Sequence, residues 1–156
     1  MEFEIRRAEP KDCAMLWRWR NDPVTRRAQR LEDPIPWDAY ESWYARALAS
    51  PGRVILIASP ADPSAGEDLG VAQFTLGRVP EMAEIGLNLN PAWRGRGLAA
   101  PLIERFCAEG RRHLGFGAVI AHVKAENLPS RRAFIRAGFA LDDAEGGILR
   151  FRRDFP

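Results

Sequence analysis

Two arginines and two glycines alternate at residues 94–97, in a run that starts at Asn90. Alternating apolar residues at 83–89 predict a strand before this run, and apolar periodicity at 97–114 predicts a helix after it. Glycine lets the backbone come close to a ligand, and the first N–H groups of a helix have no internal partner and attract anions. The pattern therefore predicts a loop that binds a pyrophosphate.

Two other glycine-rich phosphate motifs are excluded at this position. A Walker loop would continue with Gly-Lys-Ser or Gly-Lys-Thr, which does not follow here. A dinucleotide fingerprint would need a third glycine where this chain has Ala100. The loop therefore does not indicate an NTPase or a dinucleotide-dependent enzyme.

A second informative segment lies at residues 123–139. The end of a predicted strand is followed by Asn127 and Ser130, and then by a predicted helix at 129–137 that ends at Gly138. This segment lies downstream of the glycine loop, and the two segments together form a longer pattern than either does alone.

Together the two segments resemble the signature of the GCN5-related N-acetyltransferases. Arg94, Gly97 and Ala99 fit the family's Gln/Arg-x-x-Gly-x-Gly/Ala pattern, and Asn-x-x-Ser followed by Gly-Phe resembles its second landmark. The resemblance extends over roughly residues 2–155 and implies a single acetyltransferase domain at 1–156 that uses acetyl-coenzyme A as cosubstrate. It implies an α/β fold with a mixed, partly splayed sheet of about seven strands and about four flanking helices.

The resemblance also implies which residues contact acetyl-coenzyme A. The loop would hold the pyrophosphate with its backbone N–H groups, and the preceding strand would bend away from its neighbour so that the pantetheine arm pairs with its exposed backbone. A backbone N–H in that strand would polarise the thioester carbonyl. The implied contacts are Leu87, Leu89, Arg94, Gly95, Arg96, Gly97, Leu98, Ala99, Asn127, Ser130 and Phe134.

Glu84 is the predicted general base, because the resemblance places an acidic residue on this strand that takes the amine proton directly or through water. Glu81 is a weaker candidate, and the alternative for Glu84 is a surface glutamate on a half-exposed strand. Many relatives carry a tyrosine where this chain has Phe134, which cannot protonate the leaving thiolate. Tyr40, Tyr44 or water could serve instead, the thiolate could leave unassisted, or the protein could be a non-catalytic acyl-coenzyme A-binding module.

Aromatic and arginine residues cluster in the N-terminal third of the chain, where rings can stack on a base and guanidinium groups can bind a diphosphate. This region resembles a subgroup that acetylates amino groups on nucleotide-linked sugars, as in the pseudaminic-acid pathway, and also the Rim-type enzymes that acetylate ribosomal-protein N-termini. We therefore expect a small-molecule amine as acceptor, with a peptide N-terminus as the alternative. The predicted acceptor contacts, each of which could instead be a core or solvated residue, are Trp17, Arg20, Asn21, Trp37 and Trp43.

The composition excludes several other classes of function. The net charge is only +2, from 23 basic and 21 acidic residues, which does not indicate a nucleic-acid partner. No run of ~18 apolar residues predicts a membrane span, and the acidic N-terminus does not resemble a signal peptide. The two cysteines and two histidines lack the spacing of a disulfide framework or a metal site. We expect a cytoplasmic protein without a metal, for which a homodimer is one option.

The elements that must position these residues follow from periodicity and turn residues. The predicted order is β-α-α-β-β-β-α-β-α-β-β, with a polar connection at 24–33 and a hairpin loop at 59–67. The predicted strands lie at 3–8, 53–58, 69–76, 83–89, 118–123, 139–141 and 148–153. The predicted helices lie at 10–21, 36–48, 97–114 and 129–137.

Overall fold

Seven strands form one sheet in the computed structural model, which describes residues 1–79 and 81–156. The strands are β1 (Phe3–Arg7), β2 (Arg53–Pro60), β3 (Gly70–Leu76), β4 (Met82–Leu89), β5 (Ala118–Lys124), β6 (Ala140–Glu145) and β7 (Ile148–Asp154). Their order in the sheet is β1-β2-β3-β4-β5-β7-β6. Adjacent strands are antiparallel except β4 and β5, which are parallel. The predicted α/β class and strand number are confirmed.

Helices cover both faces of the sheet. In the described part of the chain they are α1 (Cys13–Asn21), α2 (Pro23–Ala28), α3 (Trp37–Ala49), α4 (Ala99–Leu114) and α5 (Leu128–Arg136). Helices α4 and α5 pack on the main apolar core, whereas α1 and α3 pack on a second core across the sheet. Strand β2 contributes to both cores, because Leu56 points to the first and its neighbours Ile55 and Ile57 point to the second.

The sheet opens between β4 and β5. These strands pair only from Met82 to Glu84 and from Ala118 to Ile120, although β4 continues to pair with β3 as far as Leu89. The β4 backbone from 85 to 89 therefore has no strand partner on its β5 side in the described part of the chain. The predicted splay is confirmed, and it leaves hydrogen-bonding groups available for an extended ligand.

The predicted polar connection at 24–33 is wrong in its first part, because Pro23–Ala28 forms helix α2. The Asp22 side chain accepts hydrogen bonds from the backbone N–H groups of Val24 and Thr25, and proline is favoured at the first helical position. This capping, with two arginines of good helix propensity, stabilises a short helix. The described chain therefore has one more helix than the predicted order.

Helix α4 begins at Ala99, two residues later than predicted, because Gly95 and Gly97 adopt positive φ angles of 74° and 73°. It ends where predicted, at a left-handed Gly115. Strand β6 is longer than predicted and reaches Glu145. Across residues 1–79 and 81–156, the helices are all too short or too polar to cross a membrane.

Candidate functional site

A groove of about 570 Å³ follows the opening between β4 and β5. We call it the splay groove. Its walls come from the unpaired part of β4, the glycine loop, helix α2, the end of β5 and helix α5. Among the predicted cosubstrate contacts, its lining includes Leu87, Leu89, Arg94, Gly95, Gly97, Leu98, Ala99, Asn127, Ser130 and Phe134.

The glycine loop presents open backbone to this groove. A Cβ atom added to Gly95 or Gly97 would meet no heavy atom within 4 Å, so free space lies beside both residues. The next helix, α4, has Leu98 as its N-cap residue, which gives no side-chain hydrogen bond, and its first turn has no acidic residue. Uncapped N–H groups at a helix start favour an anion. The geometry therefore fits the pyrophosphate of the predicted cosubstrate.

The two arginines of the loop have different surroundings. Arg94 lines the splay groove, but its Nη1 donates to Asp22 at 2.8 Å and its Nη2 donates to the Thr25 hydroxyl, so it ties α2 to the loop. Burial works to raise the pKa of Asp22, but the hydrogen bonds from Arg94 and from Thr25 N–H hold it below its ordinary value. Arg96 lies outside the groove lining and stacks on Trp93 at 4.7 Å.

Helix α5 forms the opposite wall of the splay groove. Asn127 caps the helix by accepting a hydrogen bond from the Ser130 N–H at 3.3 Å. The Phe134 ring is 5% exposed and packs edge-on against Phe139, so it joins the wall to the core. Two basic residues of α5, Arg132 and Arg136, also line the groove. The sequence offered only a weak signal for them, since Arg132 belongs to an adjacent pair with Arg131 and arginines on a helix surface are usually solvated.

Glu84 and His122 are paired at the point where the sheet opens. Oε1 of Glu84 lies 2.7 Å from Nδ1 of His122, and the Glu84 side chain is 53% exposed. His122 lines the splay groove, whereas Glu84 lies outside its lining. The sequence did not predict this pair, because the two residues are 38 positions apart and are brought together by the pairing of Glu84 with Ile120. Glu81 is exposed, and its backbone oxygen accepts hydrogen bonds from the N–H groups of Gly117 and Ala118, at the start of β5.

A second cavity, of about 260 Å³, lies on the α1 and α3 side of the sheet. We call it the inner cavity. It meets the splay groove at β4, because Gln29, Gly86, Leu87 and Asn88 line both. Its other lining residues are Leu16, Arg20, Ile35, Ala39, Tyr40, Trp43, Ile55, Val71 and Gln73. A ligand in the inner cavity would therefore reach one in the splay groove at this strand.

The predicted acceptor contacts divide into two groups. Arg20 and Trp43 line the inner cavity. The other three line neither cavity and lie instead around the backbone of Ile35: Trp17, Asn21 and Trp37. Trp17 Nε1 and Asn21 Nδ2 each donate to the residue 35 carbonyl oxygen at 2.8 Å, and Trp37 packs edge-on against Trp17 at 5.3 Å.

The two tyrosines considered as proton donors are also separated. Tyr40 lines the inner cavity, and burial raises the pKa of its phenol well above the usual range. Tyr44 lines neither cavity, and its hydroxyl donates to the Glu9 carbonyl oxygen at 2.6 Å. Among the residues described, both therefore lie outside the splay groove.

The chain is similar in sequence to one known protein family. Residues 2–140 match the family model described as "Acetyltransferase (GNAT) domain". No curated protein matches the chain in sequence.

Solved structures share the whole fold at low sequence identity. Spermidine N-acetyltransferase from Vibrio cholerae, in complex with coenzyme A and spermine, superimposes with a TM-score of 0.83 at 17% identity, over 97% of this chain and 95% of that one. The protein yncA from Salmonella typhimurium, with acetyl-coenzyme A, gives 0.79 at 22% identity over 100% and 95%. The aminoglycoside acetyltransferase AAC(6')-Ib, with coenzyme A and kanamycin, gives 0.81 at 19% identity over 98% and 95%.

Proposed function

The chain belongs to the GNAT acetyltransferase family, and on that premise we propose that it transfers an acetyl group from acetyl-coenzyme A to the primary amine of a small molecule. Membership confirms the predicted enzyme class, an acetyltransferase, and the predicted cosubstrate. The observation that carries the proposal is the junction of the splay groove and the inner cavity at the unpaired part of β4.

The splay groove suits the cosubstrate along its length. The open backbone at Gly95 and Gly97 and the start of α4 would hold the pyrophosphate, with Arg132 and Arg136 supplying positive charge from the facing helix. The unpaired backbone of residues 85–89 would bond the extended arm as a neighbouring strand does. A backbone N–H of this segment would then polarise the acetyl carbonyl.

Arg94 and Arg96 have indirect roles in this proposal. Since the Arg94 guanidinium is already bonded to Asp22 and Thr25, it stabilises the loop and α2 more than it binds phosphate directly. Arg96 stacks on Trp93 and lies outside the groove lining, so the proposal gives it no direct contact with the cosubstrate. The backbone of the loop therefore makes the main contribution to binding.

Acetyl transfer forms an N–C bond and breaks a C–S bond, so one proton must leave the amine and one must reach the sulfur. We assign the first step to Glu84 acting through His122, because the carboxylate holds Nδ1 at 2.7 Å and the imidazole lines the groove. Glu84 lies two residues before Gly86 on the same face of β4, about 7 Å from the junction of the two cavities. The pair therefore stands beside the place where the amine would arrive.

The same imidazole can return the proton to the sulfur. Phe134 has no proton to donate, and both tyrosines lie outside the described lining of the splay groove. His122, once protonated, is an acid within that lining. This assignment favours a catalytic protein over the non-catalytic binding module.

The inner cavity favours a small acceptor over a peptide. Its volume of about 260 Å³ is slightly below the usual range of small-ligand sites. A nucleotide-linked amino sugar fits our proposal only if its sugar enters the cavity and its nucleotide lies outside. The structural neighbours include a spermidine N-acetyltransferase and an aminoglycoside acetyltransferase, which supports an amine acceptor in general. We further propose a single domain in the cytoplasm, and a homodimer stays a prediction.

The first experiment measures thermal unfolding with coenzyme A and then thiol release from acetyl-coenzyme A with a panel of amines. Coenzyme A at about 100 times its Kd should stabilise the folded state by roughly 2.7 kcal/mol. Amine-dependent thiol release, with N-acetylated product identified by mass, would support the proposal. Binding without any turnover would favour the non-catalytic module, and absence of binding would contradict the assignment of the splay groove.

A further inference from the structure

The described lining of the inner cavity carries positive charge but no negative charge. Arg20 is the charged residue of the described lining, and Gln29, Gln73 and Asn88 are neutral. None of the described lining residues is acidic. The rest of the wall is apolar or aromatic, with Trp43 on one side. A ligand that enters here therefore meets one positive charge and no negative charge.

Arg20 has donors that the protein does not use. Its Nη1 is buried and has no hydrogen-bond partner among the described residues. Its Nη2 reaches only the Leu31 carbonyl oxygen, at 3.5 Å, which is a weak contact. Burial lowers the pKa of Arg20, and yet a guanidinium stays charged at physiological pH. A partly buried cation without a carboxylate partner is costly unless a ligand supplies the negative charge.

Gln73 has a hydrogen-bond acceptor without a partner among the described residues, whereas Arg20 has a donor without one. Its Oε1 is buried and accepts no hydrogen bond from the described part of the chain. Gln73 pairs with Gly86 across β3 and β4, and a Cβ at Gly86 would lie 3.4 Å from the Gln73 side chain. The glutamine therefore lies over the strand at which the two cavities meet, where it can accept an N–H from an arriving amine.

We propose that the acceptor is a small primary amine that also carries an anionic group, a carboxylate or a phosphate, which Arg20 binds while the amine lies against Gln73 and β4. This inference rests on the proposed acetyltransferase function and names its substrate class. Arg20 supplies the planar pair of donors that carboxylates and phosphates bind. The apolar wall around Trp43 selects acceptors with an aliphatic or aromatic portion.

The same charges act against polycationic acceptors. A second ammonium group in the inner cavity would lie near Arg20 and would find no carboxylate in the described wall. Like charges at close range in a partly buried site disfavour binding. Polyamines and other polycations should therefore be poorer substrates than anionic amines of similar size.

The test uses pairs of amines that differ only in the anionic group. The carboxylate pair is L-phenylalanine and 2-phenylethylamine, and the phosphate pair is glucosamine 6-phosphate and glucosamine. Spermidine and a UDP-linked amino sugar complete the panel. We expect kcat/KM to be roughly 10- to 100-fold higher for the anionic member of at least one pair, which also tells whether a carboxylate or a phosphate is preferred. Equal or higher values for both neutral members, or a preference for spermidine, would overturn the inference.

Variants test whether Arg20 carries that preference. Arg20→Gln should reduce the anionic-to-neutral ratio to near one while the KM for acetyl-coenzyme A stays unchanged, and Arg20→Lys should restore part of the ratio. Arg18→Gln, an exposed position on the same helix, is the matched control and should change neither value. The melting temperature of each variant shows whether it is folded. An unchanged ratio in folded Arg20→Gln would overturn the assignment.

Binding by the coenzyme A complex separates this inference from the proposed function. Calorimetry on the complex should show tighter binding of the anionic member of a pair, whether or not that amine is acetylated. If coenzyme A binds and neutral amines are acetylated as well as anionic ones, the enzyme assignment stands and the anion site is wrong. If coenzyme A binds but no anionic member binds better than its neutral partner, the anion site is also wrong. Failure to bind coenzyme A would instead contradict the proposed function.

Discussion

The splay groove and the inner cavity meet at β4, but the chain builds them in different ways. In the splay groove the proposed ligand contacts are backbone atoms, from the loop at 94–97, the start of α4 and the unpaired residues 85–89. In the inner cavity they are side chains, among which Arg20 and Gln73 have unused hydrogen-bonding atoms. The backbone-lined groove is sensitive to conformation, whereas the inner cavity is sensitive to side-chain identity.

This difference separates the common reaction from the particular substrate. A backbone loop binds the same diphosphate whatever side chains surround it, because its donors belong to every residue. Side chains that converge from α1, α3, β2 and β3 can change one at a time without disturbing that loop. Substitutions in the two regions should therefore affect different kinetic constants.

The largest effect is expected for Gly97→Val. A side chain at φ 73° is strained and projects into the open space beside the loop, where the pyrophosphate would lie. We expect the Kd for coenzyme A to rise about 1,000-fold, which corresponds to roughly 4 kcal/mol, in a titration by calorimetry. Gly115→Val has a similar φ of 68° at the other end of α4 and tests strain alone, so it should lower stability without weakening binding. Equal losses of affinity in both variants would show that strain alone lowers binding, and would contradict the placement of the pyrophosphate beside Gly97.

The next effect concerns the pair at the junction. Glu84→Gln and His122→Gln should each lower kcat about 100-fold and leave the Kd for coenzyme A nearly unchanged, because the proposed cosubstrate contacts are the glycine loop, the start of α4 and the β4 backbone. The double variant should be no slower than the worse single variant, as expected for groups that act together. Glu81→Gln is the control for the weaker candidate base and should retain activity. Additive losses would show that Glu84 and His122 act independently.

A smaller effect is expected for Asn21→Ala, which acts on the inner cavity from outside it. Asn21 bonds both the N–H and the carbonyl oxygen of Ile35 at 2.8 Å, and Ile35 lines the cavity. We expect the acceptor KM to rise about 10-fold with an unchanged KM for acetyl-coenzyme A, in steady-state assays. Asp62→Ala removes a similar side-chain cap from an exposed turn and should leave both constants unchanged. A rise in the acetyl-coenzyme A KM for Asn21→Ala would mean that the two regions are coupled.

The smallest functional effect is expected at Asp12, which supports the start of α1 behind the inner cavity. Its carboxylate accepts two hydrogen bonds from Arg6, at 2.8 and 2.9 Å. Burial works to raise the pKa of Asp12, but the hydrogen bonds from Arg6 and from Glu9 N–H hold it below its ordinary value. Because the folded-state pKa is lowered, this stabilisation is present above about pH 4 and is lost as pH falls further.

Chemical denaturation of Asp12→Asn at several pH values checks this. The variant should lose about 1–3 kcal/mol at pH 7, a range that allows for the partial exposure of Arg6, and its stability should fall less steeply below about pH 4 than that of the parent. Asp143→Asn, at an exposed position of β6, should leave the dependence of stability on pH unchanged. A parallel acid transition in Asp12→Asn and the parent would contradict the role of this ion pair.

Much of the fold and the position of the glycine loop could be predicted, because their signals are local, although the helix after the loop starts two residues later than predicted. The alternation at 83–89 and the glycines at 95 and 97 dictate a strand and a loop from neighbouring residues alone. Helix α2 was missed because its main signal is one capping residue, Asp22, in a segment with an arginine-rich composition. A short helix has too few residues for periodicity to show.

The candidate acceptor contacts could be predicted only in part. The aromatic and arginine cluster indicated helices that border the inner cavity, but it could not show that Arg20 and Trp43 face this cavity while Trp17 and Asn21 bond to Ile35. These residues share two helices, and which face of a helix is turned inward depends on what packs against it. Periodicity gives the faces but not their surroundings.

By itself, the sequence determined the acetyltransferase family, the order of most elements and the backbone of the glycine loop. These depend on contiguous residues, whose φ and ψ angles are restricted by glycine, proline and capping side chains. Only the tertiary structure decided that His122 joins Glu84 and that Arg20 and Gln73 line one cavity. Those side chains meet through strand register and helix packing, which arise from contacts between residues far apart in the chain.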